Sequence, residues 1–401
     1  MFARLMCVVL VVSAVTLGAQ HHDGGPAAAP TPQQPATLSL DVAVDGGRAY
    51  AVTASDDGTT QVLLHRTSTD GGATWSAPVA IEPSRGRLSG AGRGTDPQIA
   101  AAGGRLVVLW MAKGTSSRGN GLMEGARSDD GGRTWAAIGR PSDVAAAVSQ
   151  AFIDVTADPR GAFHAVWLDS RDGGQGLRTT ISKDGGRTWR DSGTIDARTC
   201  ECCWNTVVPA GNGALLVLYR DKDPRDMAMA RSTDGGTTWQ RTGPVGAFAW
   251  GFDGCPHVGG ALAVGADATT VHALVWTGHD TKRGAYALTS TDTGATWKAP
   301  VRVGPDDAWH VDLVRDGARL IATWDVNRPG DSHIGWASSA DGGATWQEGG
   351  RLSGPGVRAS HPKLVAAAGR VTAVWTERPA GGVLRWQQAA IPASTPSTIR
   401  R

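Results

Sequence analysis

Most of the residues that could bind a metal ion or cross-link the chain fall in two short segments. Residues 199–204 read Thr-Cys-Glu-Cys-Cys-Trp, and residues 254–257 read Gly-Cys-Pro-His. Cysteine thiolates and imidazole nitrogens are ligands that copper and zinc prefer, so either metal is a candidate cofactor. Two histidines farther along the chain could complete such a site. The candidate ligands are Cys200, Cys202, Cys203, Cys255, His257, His310 and His361.

The same four cysteines could instead form two disulfide bonds. An even number of cysteines in an exported chain is typical of disulfide cross-links. The paired C-x-x-C motifs of a structural zinc site are not present, so we favour disulfides over a metal site. The spacing of Cys200 and Cys203 would also suit a redox pair. Trp204 follows Cys203 where a c-type haem site requires histidine, which excludes covalent haem attachment.

A second set of candidates consists of carboxylates and arginines that border apolar runs. Two carboxylates can act together in glycoside hydrolysis, and grouped arginines bind a substrate carboxylate through paired hydrogen bonds. Taken singly, each of these residues is better explained as an ordinary polar loop residue, because charged groups default to the protein surface. The catalytic candidates are Asp96, Asp169, Arg171, Arg220, Glu377 and Arg378.

The two ends of the chain differ in composition from its middle. Residues 1–19 combine Arg4, an apolar stretch and a small-residue cleavage pattern, which predicts a signal peptide and the removal of Cys7. Residues 20–37 predict a flexible leader rich in proline and alanine, and residues 392–401 a disordered tail. No later segment approaches about 18 unbroken apolar residues. We therefore expect a secreted or periplasmic protein with no membrane span in its mature form.

The overall composition favours a folded domain and argues against nucleic acid as a partner. The chain has 401 residues, and 41% of them are hydrophobic, which is ample for a core. Lysine and arginine total 39 against 37 aspartates and glutamates. A nucleic-acid-binding protein normally carries a clear basic excess. Nucleotide-binding glycine motifs and the H-E-x-x-H motif are also missing from the sequence.

An eight-residue repeat must determine how the candidate residues are positioned. The pattern Ser-x-Asp-x-Gly-x-Thr-Trp occurs six times, with start-to-start spacings of 60, 54, 50, 58 and 49 residues. Its glycines allow positive φ and its aspartate accepts backbone N–H groups, so each copy predicts a hairpin turn. We call this repeat the octapeptide. Its copies lie at residues 68–75, 128–135, 182–189, 232–239, 290–297 and 339–346.

Apolar runs around each octapeptide predict a repeated four-stranded unit. Two runs and a third strand precede the turn, and a fourth strand follows it, as in an antiparallel sheet of about 50 residues. Seven such units can be counted, the last without an octapeptide. Units of this kind arranged radially form a β-propeller. We therefore expect an all-β propeller of seven four-stranded antiparallel blades over residues 38–391. Six blades with an irregular closing segment is the alternative.

The octapeptide resembles the Asp-box, or bacterial neuraminidase repeat, of sialidases and their relatives. The resemblance covers nearly the whole mature chain and implies a sialidase-like propeller. In that family the Asp-boxes lie away from the catalytic face, which implies that the octapeptide aspartates stabilise turns. We call the opposite side the front face. It should carry the starts of the first strands and the ends of the second strands, where the candidate residues above fall.

The residues that sialidase activity would require are only partly matched. Sialidases resemble one another in an Arg-Ile-Pro motif, an arginine triad, a Tyr–Glu nucleophile pair and an acidic proton donor. This chain has no Arg-Ile-Pro sequence, and Tyr219 takes the place of a tryptophan found in other units, which indicates packing. The arginines best placed to form a triad are Arg171, Arg220 and Arg378.

These observations predict a binding protein whose front face takes a glycan, a partner protein or a soft metal. An exo-α-sialidase or another glycoside hydrolase acting on that face is the alternative. We expect the cysteines and His257 to form one cluster at the mouth of the central channel, as disulfides or as a metal site. We also expect residues 37–40 to close the ring by pairing with residues 384–389.

Overall fold

Strands make up nearly all of the ordered secondary structure. The computed structural model describes residues 35–393, except Arg93, residues 115–119 and residues 144–147. It contains 27 β-strands in these residues, with two 3-10 helices at Glu82–Ser84 and Gly211–Gly213. The predicted signal peptide and most of the predicted leader and tail lie outside the described residues. No helix within the described residues is long and apolar enough to cross a membrane.

The strands form seven antiparallel sheets, each made of strands that are consecutive in sequence. Blades one and two contain β1 (Ala36–Asp45), β2 (Arg48–Asp56), β3 (Gln61–Ser68), β4 (Val79–Ile81), β5 (Gln98–Ala102), β6 (Arg105–Lys113), β7 (Asn120–Ser128) and β8 (Ala136–Ala137). Blades three and four contain β9 (Ala151–Ala157), β10 (Phe163–Asp169), β11 (Gly176–Ser182), β12 (Gly193–Asp196), β13 (Thr206–Pro209), β14 (Leu215–Arg220), β15 (Met227–Ser232) and β16 (Gln240–Pro244). Blades five to seven contain β17 (Gly260–Val264), β18 (Val271–Thr277), β19 (Gly284–Ser290), β20 (Val301–Val303), β21 (Val311–Asp316), β22 (Arg319–Arg328), β23 (Asp331–Ser339), β24 (Gln347–Arg351), β25 (Val357–Ala367), β26 (Arg370–Pro379) and β27 (Arg385–Ala390).

This arrangement is the seven-bladed propeller that the repeats predict. Six blades have four strands, and blade seven, which lacks an octapeptide, has three. The six-blade alternative is therefore wrong. The first strand begins at Ala36, two residues before the predicted start of the propeller, and the last ends at Ala390.

The second strand of each blade shows why the apolar runs are continuous. Both β10 and β18 are buried at every position. Neighbouring blades cover both faces of these strands, as where Leu109 of blade two packs in one cluster with Phe163 of blade three. A strand with no solvent-facing side has no reason to alternate apolar and polar residues. Burial on both faces thus accounts for the runs that predicted these strands.

The octapeptide folds into the same hydrogen-bonded turn in each copy, and residues 232–239 illustrate it. The Ser232 hydroxyl donates to the Asp234 carboxylate at 2.8 Å and accepts the Gly236 N–H at 2.8 Å. Thr238 donates to the same carboxylate from its backbone N–H at 2.9 Å and its hydroxyl at 2.6 Å. Gly235 and Gly236 have φ of +70° and +82°, which disfavour other residues. The turn joins the third and fourth strands of the blade.

Blades one and seven meet mainly through side chains. The Gln388 amide accepts the Trp75 indole N–H at 2.6 Å and donates to the Ala73 carbonyl at 2.9 Å. A single backbone hydrogen bond, from Thr37 N–H to the Leu384 carbonyl at 2.8 Å, joins the segments predicted to pair. The prediction of a paired strand here is wrong in extent, because β1 pairs with β2 from Ala36 onward and stays in its own blade.

Candidate functional site

The first strands of the blades surround a central channel, and a pocket of about 290 Å³ lies in it. We call it the channel pocket. Its front end is lined by Asp96, Trp204, His310 and His361. The first three come just before first strands, and His361 lies within β25, where the register shifts. Deeper in the channel the lining residues are Asp41, Asp154, Asp312 and Lys363.

Trp204 is the hub of the front end. Its indole N–H lies 3.0 Å from both carboxylate oxygens of Asp96, which belongs to blade two. Four other rings surround the half-buried indole, with centroids 5.7–6.3 Å away and steep interplanar angles. These rings belong to Phe152, His257, His310 and His361.

Two histidines of the pocket share one buried carboxylate. His310 Nδ1 lies 2.8 Å from Asp325 Oδ2, and the same oxygen accepts the His361 backbone N–H at 2.9 Å. His310 Nε2 faces the His257 carbonyl oxygen at 3.2 Å, so both ring nitrogens of His310 have a partner. Burial raises the pKa of Asp325, but the two histidines more than offset it and hold the pKa below its usual range. The two imidazole rings stack with centroids 3.9 Å apart.

The deeper carboxylates connect neighbouring blades. Asp154 accepts the Val207 N–H of the next blade at 2.6 Å, and Asp41 accepts the Ile99 N–H at 2.9 Å. Burial raises the pKa of Asp154 to about 7. Burial alone would lower the pKa of Lys363, but the surrounding carboxylates raise it above its usual value. Lys363 therefore stays charged and balances part of the negative charge of the channel carboxylates.

The cysteines and His257 form one group at the front of blades four and five, which we call the cysteine cluster. The ligand atoms of Cys200, Cys202 and Cys203 lie within 4.8 Å of one another. The ligand atoms of Cys202, Cys255 and His257 also lie within 4.8 Å of one another, so Cys202 belongs to both sets. Cys255 is exposed, and the other three cysteines are buried. The predicted cluster is therefore present in the structure.

Hydrogen bonds among the thiols make their acidities unequal. Hydrogen bonds with the Cys202 and Cys203 thiols, together with the Arg220 charge, hold the pKa of Cys200 well below its usual range. Burial raises the pKa of Cys203 to about 12. The Cys200 Sγ atom lies 3.6 Å from Cys203 Sγ and 4.0 Å from Cys202 Sγ. The four cysteines are unbonded in the structure, and the two predicted disulfides stay a prediction.

Arg220 connects the two segments of the cluster. It is 1% exposed, and its Nη1 atom lies 3.2 Å from Cys200 Sγ. The same guanidinium donates to the Phe252 carbonyl at 3.0 Å and lies 3.9 Å from the centre of the Trp250 ring. Arg220 therefore ties the loop that carries Cys255 to the segment that carries Cys200.

The structure pairs two of the six predicted catalytic residues, Asp169 and Arg171, but does not bring the six together in one site. Asp169 is fully buried between Arg171 and Arg178, with contacts of 2.6 and 3.0 Å. Glu377 is buried and accepts hydrogen bonds from the Trp375 indole at 3.1 Å and Arg385 at 2.8 Å. Of the six candidates only Asp96 lines the channel pocket.

The proposed arginine triad is not formed around the channel pocket, because its members have other partners or positions. Arg171 is paired with Asp169, Arg220 is held at the cysteine cluster, and Arg378 sits opposite Arg358 in the sheet of blade seven. Tyr219 is completely buried and donates to Asp196 at 2.8 Å, which confirms a packing role. His310 and His361 group with Asp325 and not with the cysteines.

Sequence reasoning missed the deeper channel residues. Asp41, Asp312 and Lys363 occupy equivalent register positions in their blades, because each pairs with the fifth residue of the second strand. A polar residue recurring at one position of successive first strands is the pattern that could have revealed them.

Comparisons with known proteins support the fold alone. No protein-family model and no curated protein matches the sequence. An ulvan lyase, a polysaccharide lyase, superposes with a TM-score of 0.63 at 11% identity, covering 88% of this chain and 94% of its own. A Hadza microbial sialidase gives 0.50 at 16% identity, covering 86% and 73%. An α-L-arabinanase from Penicillium chrysogenum, solved with arabinobiose, gives 0.51 at 15%, covering 74% and 93%. The chain has a sialidase-like β-propeller fold.

Proposed function

We propose that the channel pocket binds an uncharged glycan through its front end. The observation that carries this proposal is the composition of the pocket, which places an indole beside carboxylate and imidazole groups. Ligand sites typically combine apolar walls with a few well-placed polar groups. The volume of about 290 Å³ is at the small end of such sites and suits a terminal sugar unit.

The side chains at the front end match the two surfaces of a sugar ring. The C–H groups of a pyranose or furanose ring carry slight positive charge and pack against the electron-rich face of an aromatic ring. Trp204 is half-buried and lines the pocket, so it can supply such a surface. Asp96 and Thr376 also line the pocket and can bond to sugar hydroxyls.

The charge of the pocket favours neutral over acidic sugars. Four carboxylates line it against a single lysine, and the lining contains no arginine among the described residues. An acidic sugar would face repulsion from these carboxylates and would lack a guanidinium to pair with its own. The fold is shared with a sialidase, a lyase and an arabinanase, which supports a glycan as the ligand and does not decide the charge of the sugar. An exported chain would meet such glycans outside the cytoplasm.

A glycoside hydrolase is the second candidate, favoured by one observation. Asp96 and Asp154 both line the channel pocket, and burial raises the pKa of both carboxyls. A pKa of about 7 leaves the Asp154 carboxyl partly protonated near neutral pH, as a general acid requires. If this reading holds, neutral glycosides are cleaved by the wild-type chain and not by Asp96→Asn.

Calorimetric titration with a panel of neutral and sialylated oligosaccharides tests the proposal. We expect at least one neutral oligosaccharide to bind, and Trp204→Ala to weaken that affinity at least tenfold, about 1.4 kcal/mol. Trp204→Phe should retain part of the affinity because it keeps an aromatic face. His361→Asn should also weaken this affinity, because His361 lines the pocket. His333→Asn is its matched control, since His333 is a half-buried histidine outside the pocket lining. Binding of sialosides alone, or unchanged affinity in a folded Trp204→Ala protein, would overturn the proposal.

A further inference from the structure

We infer that the cysteine cluster is a binding site for one thiophilic metal ion, copper(I) or zinc(II). The site is separate from the glycan proposal, since none of its five residues lines the channel pocket. The two ions share the chemistry that recognises them, which is coordination by thiolate sulfur and imidazole nitrogen.

The sulfur positions fit a shared ion better than a disulfide. Two thiolates at about 2.3 Å from one tetrahedral ion are about 3.8 Å apart, and about 4.0 Å apart in a trigonal arrangement. The Cys200–Cys203 and Cys200–Cys202 separations are 3.6 and 4.0 Å. A disulfide requires about 2.05 Å between sulfurs. The buried cysteines of residues 200–203 are thus already spaced as ligands.

The loop of blade five brings two further ligands to the same place. Cys202 lies within 4.8 Å of the ligand atoms of Cys255 and His257, so it can be held in common by both groups of ligands. His257 has a φ of +51°, in the left-handed region that a non-glycine residue adopts at a cost. Cys255 is exposed and gives an incoming ion a path to the buried sulfurs.

Arg220 and Arg225 suit the site to bind anionic sulfur. Arg220 Nη1 lies 3.2 Å from Cys200 Sγ, and Arg225 Nη1 lies 4.0 Å from the same atom. Groups that hold ligands in place from outside the coordination shell typically change metal affinity 10–100-fold when mutated. We assign Arg220 as a positioning residue, because it also fixes the loop that carries Cys255.

Metal titration of the full chain, purified without chelator or reductant and reduced only before metal is added, tests the inference. Zinc(II) and copper(I) are titrated separately against a chromophoric competitor, and thiols are counted under denaturing conditions with and without reductant. We expect one ion bound per chain, and X-ray absorption showing sulfur at about 2.3 Å. The arm with the higher affinity identifies the metal.

Variants separate ligand roles from structural ones. Cys202→Ser should abolish binding, while Arg220→Gln should weaken it about 10–100-fold with stoichiometry unchanged. His257→Asn should weaken binding and His279→Asn, in a front loop of the same blade, should not. Two disulfides in the purified protein together with no metal uptake after reduction would overturn the inference. So would stoichiometric binding that survives Cys202→Ser.

Discussion

Asp154 shows how one side chain in the channel serves the fold at an electrostatic cost. Its carboxylate accepts the Val207 N–H of the neighbouring blade at 2.6 Å, which a neutral amide oxygen could also do. Burial disfavours the charged form and raises the pKa of Asp154 from 3.8 to about 7. The folded chain therefore binds this proton more tightly than the unfolded chain does.

A pH-dependent loss of stability follows from this difference. Between about pH 4 and 7 the unfolded chain releases the Asp154 proton first, so the free energy of unfolding falls as pH rises. We expect Asp154→Asn to remove this contribution, and to raise the melting temperature more at pH 7.5 than at pH 4.5. Differential scanning calorimetry across that range measures it. Parallel pH profiles for the two proteins would show that Asp154 titrates normally.

At this scale the sequence predicted some groupings and missed others. The cysteines and His257 were predicted to cluster because adjacent first strands emerge on the same face, and the structure brings them together. The sequence could not show that the predicted arginine triad does not form. The position of a residue in a strand predicts the face on which it lies, but not the residue with which it pairs. Asp169 and Glu377 lie near the expected strand ends, but each forms an ion pair with an arginine of its own blade.

The octapeptide turn is the element that repeats with the least change. Its aspartate accepts most of the hydrogen bonds that hold the turn. Asp234 receives hydrogen bonds from one serine and two threonines, all within residues 232–238. These bonds hold its pKa well below the usual range, with Thr238 contributing most. Because every donor is local, the turn needs no contact with the front face.

Removing this acceptor should affect stability alone. We expect Asp234→Ala to lower the melting temperature by about 2–4 °C, since it leaves backbone N–H groups without their acceptor. The affinities of the channel pocket and the cysteine cluster should stay within twofold of wild type. Thermal unfolding and the titrations described above measure both quantities. A loss of glycan or metal binding with unchanged melting would contradict the separation of the two faces.

The seven blades form a ring within residues 36–390, and the seam between blades one and seven is held by few hydrogen bonds. Gln388 uses both ends of its amide there, on Trp75 and on the Ala73 carbonyl. Thr372 adds a hydrogen bond to the Gly71 carbonyl at 2.7 Å. These side-chain bonds of blade seven thus reach the first octapeptide, while the first strand contributes one backbone bond, from Thr37 to Leu384.

Disruption of the seam should destabilise the entire propeller. Gln388→Ala removes two hydrogen bonds and is expected to reduce the free energy of unfolding by about 1–3 kcal/mol. Gln387→Ala is the matched control, since the neighbouring residue points to the other side of β27. Denaturant titration of both variants measures the difference. Equal stabilities would mean that the seam contributes little.

The charge of the assembled channel leads to a prediction about activity. We expect the purified chain to release no sialic acid from a fluorogenic sialoside, because the arginines Arg171, Arg220 and Arg378 are committed elsewhere or outside the pocket lining. A fluorimetric assay against an active sialidase as positive control checks this. Turnover that disappears in Arg378→Ala would restore the enzyme interpretation.

The fold was predictable at this scale because periodic sequence imposes periodic structure. Six octapeptides and the apolar runs before them predicted both the sheet type and the blade number. The sequence predicted which segments meet at the seam, but it predicted strand pairing where side-chain hydrogen bonds are found. Thr37 and Leu384 share one backbone hydrogen bond, but most hydrogen bonds of the seam join blade seven to the first octapeptide through side chains. Contacts of this kind do not recur from blade to blade, so a repeat in the sequence cannot predict them.

The seam also determines the order in which the chain can fold. Ala73 and Gln388 are 315 residues apart in sequence, whereas strands within a blade are joined by short connections. Contacts between distant segments cost more chain entropy to form, so they follow local ones. Blades one to six can assemble during synthesis, and the ring closes only when β27 arrives. In refolding experiments we expect Trp75, 5.5 Å from Trp386, to report the slowest phase, and Gln388→Ala to change that phase alone. Simultaneous change in all phases would mean that the ring closes early.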